Sequence, residues 1–121
     1  MTQQNLISLE IPQQDLKAIN DAVSTLRSKL LPHLKTLKPD ERIALPKMGD
    51  KTFAFVTKAL EHCSTNPDLA PPFLDIQEFK ADAASVEVLS SIYAPLMQIT
   101  DSLSDSMLIK GSDAVSAALM F

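Results

Sequence analysis

The chain has 121 residues and a mass of 13.2 kDa, 45% of them hydrophobic and 21% charged, with a formal charge of −4. That is the length of one domain at about 100–150 residues each, and a balance that excludes both a disordered chain and a membrane-embedded one. Only two glycines, Gly49 and Gly111, are present, which argues against sandwiches and barrels, with their turn every ~8–12 residues, and for a single all-α domain over residues 1–121.

Residues 1–11 read as a polar lead-in. Pro12 suits the first turn of a helix, where its missing N–H costs nothing. Leu16, Ile19, Val23, Leu26 and Leu30 then repeat at spacings of three and four, a heptad-like seam that predicts a helix over 13–31. It reaches Leu37 if Pro32 merely kinks it.

Residues 32–50 hold Pro32, Pro39, Pro46 and Gly49. No regular helix tolerates that density of breakers, so a long proline-rich connection is expected, with room for one turn at Lys38–Arg42. Asp50 is an expected N-cap. Phe53, Val56, Leu60 and Cys63 predict a helix over 51–64. Pro67 and Pro71-Pro72 mark a rigid loop, anchored by Phe73 and Leu74.

Asp75 can cap a long third helix. Its seam passes through Ile76, Phe79, Ala83, Val86, Leu89, Tyr93, Leu96, Thr100, Leu103 and Met107. Pro95 removes one backbone hydrogen bond inside it, which predicts a kink, or a break into two antiparallel helices near Tyr93–Pro95. Gly111 then reads as the residue that ends this helix, and Ser112 as the cap of a last one over 113–121. The run Ala117-Ala118-Leu119-Met120-Phe121 is apolar on every side and needs covering, which suggests a C-terminal helix that is truncated at Phe121. Together these elements predict a small up-and-down helical bundle of four-helix type.

Charge is divided unevenly. Residues 1–60 carry nine basic against six acidic side chains, a net +3, and residues 61–121 two against nine, a net −7. Between Arg27 and Lys58 the balance is +5, eight basic against three acidic. A basic half packed beside an acidic half, in the same chain or a second copy, explains this more simply than a nucleic-acid footprint does. Only two of those eight are Arg, and the acidic pI disfavours phosphate-driven binding. No apolar run approaches the ~18–20 residues of a membrane span. The N-terminus lacks the basic and apolar regions of a secretory signal, and the single Cys63 cannot form an internal disulfide, so a cytoplasmic address is expected.

Chemistry-bearing constellations are scarce. Leu45–Thr52 superficially resembles a phosphate loop, but Asp50 separates Gly49 from Lys51 and the first glycine of GxxxxGK[ST] is missing. What survives is a candidate anion contact at Lys47 and Lys51, beside a helix N-terminus; Lys58 joins them in a weaker anion or nucleic-acid reading. His62 and Cys63 project about 100° apart on a helix, which serves neither a shared metal nor a catalytic dyad. Asp101 and Asp105 share a face with no third ligand in view, the pattern of a solvated surface. No GxSxG or triad spacing occurs, so the chain leans away from an enzyme, and no cofactor or metal is expected. A candidate apolar pocket would be lined by Phe53, Tyr93, Leu96, Met97 and Thr100, next to the Pro95 position.

The stretches Leu45-Pro46-Lys47-Met48-Gly49-Asp50-Lys51, Pro71-Pro72-Phe73-Leu74-Asp75 and Gly111-Ser112-Asp113-Ala114 resemble a group of small uncharacterised bacterial all-helical proteins, over roughly residues 15–121. The resemblance implies a chain that runs on past Phe121 with another helical stretch. It brings no assigned function and no site residues. The residues themselves favour a non-enzymatic helical interaction module that self-associates or binds another protein. The alternative is a small-molecule carrier with an apolar pocket inside the bundle.

Overall fold

The computed structural model describes residues 9–121; the first eight residues of the polar lead-in lie outside the described residues. These form four α-helices and, among the described residues, no strand. Helix α1 is Gln13–Leu30, α2 Pro39–Ala44, α3 Asp50–Thr65 and α4 Ile76–Met120, with single 3-10 turns at Leu31–His33 and Pro67–Leu69. By their contacts the described residues fall into two units, residues 9–45 with Leu108–Phe121, and Pro46–Met107.

In the first unit, Pro12 precedes α1 rather than occupying its first turn: its carbonyl accepts the Leu16 N–H at 2.9 Å. Pro32 does not merely kink the helix. Leu30 is the last α-helical residue, and the chain tightens into a 3-10 turn closed by Leu34 N–H on the Leu31 carbonyl at 3.0 Å. Helix α2 starts with Pro39 as its first residue, and the Glu41 carboxylate accepts the Lys38 backbone N–H at 3.3 Å. That bond satisfies one donor that a helix start would otherwise leave open.

In the second unit, α3 begins one residue earlier than the cap reading implied. Asp50 is its first helical residue, and Gly49 holds the N-cap position, its carbonyl accepting the Phe53 N–H at 2.7 Å. The Asp50 carboxylate makes no capping bond; one residue inside the helix it still places negative charge at the positive end. Asp75 does cap α4: its Oδ1 accepts the Glu78 N–H at 3.1 Å.

Helix α4 departs furthest from expectation. It continues through Pro95, as the long-helix reading expected and the break alternative did not, but it also runs through Gly111 to Met120, 45 residues in all, so no separate helix begins at Ser112. Gly111 ends a helix only when it can adopt a left-handed conformation, and no described glycine has a positive φ. At Pro95 one backbone bond to the Ser91 carbonyl is forfeited, a local cost the flanking turns absorb.

Among the described residues no side chain is buried. In the second unit Val56, Leu60 and Cys63 of α3 and Ile76, Phe79 and Ala83 of α4 are half-buried. Asp50 and Phe53, at the start of α3, border the same groove as Val86 and Ser90, while a second groove joins Leu60 to Lys80 and Ala83. The two helices therefore run antiparallel, as a hairpin closed by the Pro67–Pro72 segment.

Candidate interaction surface

The α3–α4 hairpin uses only the first part of the α4 seam. Beyond it the seam continues, half-buried at Ile92 and Leu96 and open at Leu89, Ile99, Leu103 and Met107. Leu89, Ile92, Leu96, Ile99 and Leu103 recur at spacings of three and four along the helix, which at about 100° per residue keeps them on one face. Leu89 is 47% exposed, Leu103 57% and Met107 73%. Gln98, Asp101, Ser102 and Asp105 fall on the opposite side, so the stripe carries no ionisable group. Depletion of charge around an apolar centre is the compositional mark of an interface core.

Sequence reasoning found this seam through Tyr93 and Thr100 and missed Ile92 and Ile99. Apolar residues one position apart are both compatible with a 3-4 repeat, and only the run Leu89-Ile92-Leu96-Ile99-Leu103, taken together, separates the centre of the stripe from its edge.

Phe53 borders a groove of about 180 Å³ with Met48, Val56 and Leu60 on one wall and Lys80 and Ala83 among those on the other. Tyr93, Leu96, Met97 and Thr100 lie further along α4 and do not line it. The signal for the observed groove was the 3-4 spacing of Phe53, Val56 and Leu60, together with Ala83 and Ala84, whose small side chains let a neighbouring helix approach.

Lys47 sits in the link before α3 and Lys51 in its first turn, with Asp50 between them. Their local field is thus mixed rather than purely positive. His62 and Cys63 both border a depression of about 320 Å³ beside Pro71, at the end of α3. Among the described residues no three His, Cys, Asp or Glu side chains gather as a metal site requires, and no helix is long and apolar enough to cross a membrane.

In the first unit the seam of α1 is also open: Leu16 is 37% exposed, Ile19 47%, Val23 49% and Leu26 38%. Asp15 and Lys29 flank it near its two ends. No family model matches the chain, and comparison with curated proteins and with solved structures gives no match either.

Proposed function

We propose that this chain is a non-enzymatic helical interaction module, acting in the cytoplasm through self-association or by binding another protein. One observation carries the reading: two ordered 3-4 apolar seams, on α1 and along the middle of α4, are half-buried only at Leu30, Ile92 and Leu96 and otherwise open to solvent, while no described residue is buried. Helices of this kind gain most of their stability from covering an apolar stripe, not from intrinsic propensity. A bundle of four-helix type, completed when these seams are covered, is the arrangement that satisfies them.

The carrier reading has less support. Ligand pockets generally enclose ~300–1,000 Å³ and bury most of the ligand, whereas Phe53 borders grooves of about 180 and 320 Å³, the larger lined throughout by exposed residues.

Native mass spectrometry under gentle and denaturing conditions tests the proposal. A dimer or larger assembly of unmodified subunits supports it. A monomer carrying extra non-covalent mass favours the carrier instead, and a bare monomer at every concentration counts against both.

A further inference from the structure

The seam of α1 carries more information than its apolarity. Taking Leu16, Val23 and Leu30 as heptad positions a, and Ile19 and Leu26 as positions d, places Asp15, Ala22 and Lys29 together at position g. Positions e and g flank the seam, and their charges decide which partner and which orientation a helix accepts. In an antiparallel pair of identical helices, g faces g and each a layer meets a d layer.

Setting two α1 helices antiparallel about Asp21 stacks Leu16 on Leu26 and Ile19 on Val23, each twice by symmetry. The same register puts Asp15 of each copy opposite Lys29 of the other, and Ala22 opposite its own counterpart. One register therefore satisfies the apolar layers and the charges together. Gln13 and Arg27, at position e, face each other without like-charge conflict. A parallel pair has no such match: each Asp15 then meets Asn20, and the Arg27 and Lys29 charges of both copies crowd one end. Antiparallel packing also opposes the two helix dipoles favourably.

Within the chain these charges are unused. Among the described residues neither Asp15 nor Lys29 has an ion-pair partner, and the seam between them is exposed along its length.

We infer that the occupant of the α1 seam is a second copy of this chain, docked antiparallel in the register that pairs Asp15 with Lys29 across a two-fold axis at Asp21. The inference rests on the interaction reading and names its partner. A two-fold contact is self-complementary, so each favourable pair is made twice.

The test is charge exchange read by sedimentation across a concentration series. Asp15→Lys or Lys29→Asp alone sets like charges opposite each other at two symmetric places and weakens association by about tenfold. Asp15→Lys with Lys29→Asp restores it, because the pair is rebuilt in reverse. Both residues are exposed, but each reversal opposes the dipole of α1 at its first or last turn, so association is compared under conditions where circular dichroism gives all variants the wild-type helicity. Ala22→Cys in a Cys63→Ser background supplies a second measurement: a short bismaleimide links two chains through position 22.

Association that ignores all three charge variants, with no cross-link at position 22, overturns the α1 register and leaves the interaction reading standing. Single variants that weaken association without rescue by the double variant also overturn it. A wild-type chain that stays monomeric at every concentration, yet binds another protein, overturns the second copy as occupant alone. A monomer that binds nothing removes both readings.

Discussion

Lys110 Nζ and Asp113 Oδ2 lie 3.4 Å apart, one turn of α4 bridged over the glycine between them. The pair is only partly exposed, 34% and 13% for the two side chains. An i,i+3 pair of this kind contributes about 0.2–0.5 kcal/mol to a helix, at most about half of the ~1 kcal/mol that a glycine costs in a helix interior. Gly111 is thus carried through the helix by its neighbours instead of ending it.

Replacing Gly111 by Ala should stabilise the protein by about 0.5–1 kcal/mol, since an added Cβ meets nothing within 4 Å and the backbone is already helical. Denaturant midpoints of the two proteins measure the difference. A loss of stability would mean that Gly111 adopts a left-handed turn in solution, as its place before Ser112 suggested.

Pro95→Ala returns an N–H to the Ser91 carbonyl and removes a ring clash. A proline inside a helix costs up to ~3 kcal/mol, so the variant should raise the denaturant midpoint while leaving helix content by circular dichroism nearly unchanged. A large gain in helicity would show instead that α4 is interrupted at this point.

At the other end of α4 the Asp75 carboxylate holds the Glu78 N–H at 3.1 Å. Asp75→Ala should cost about 1 kcal/mol, and Asp75→Asn or Asp75→Ser only a fraction of that, because each retains an acceptor oxygen. Equal losses in all three would indicate that the charge, not the cap, matters.

The open stripe of α4 makes its own prediction. Leu103→Lys places a charge in the middle of an apolar face that is exposed in the isolated chain. Folding should change by less than ~0.5 kcal/mol, while association through that face falls by tenfold or more. Unchanged association would place the interface elsewhere, with the seam of α1 the first alternative.

Much of the local structure was legible beforehand because helix signals are short-range. The 3-4 spacing from Leu16 to Leu30 marked α1, and the spacing from Phe53 to Cys63 marked α3. Asp75 announced the start of α4 because its side chain reaches an N–H only three residues away. Where reasoning from the residues stopped short, two local tendencies competed. Gly111 favours both a helix end and, at moderate cost, a helix interior; Pro32 allows either a kink or a stop. A cap and a first-turn acid at Asp50 differ by one residue of register.

The amino-acid sequence alone determined that this protein is helical, where its proline-rich connections lie and which residues form each apolar seam, since all of these follow from propensity and periodicity within a few turns. Only the tertiary structure decided which seams are used. It set the first part of α4 against α3 and joined Phe53 to Met48 and Ala83, and it left Leu89, Ile99, Leu103 and Met107 and the α1 face from Leu16 to Leu26 open. Burial depends on groups distant in the chain coming together, and no local pattern of residues specifies which distant partner will cover a given face.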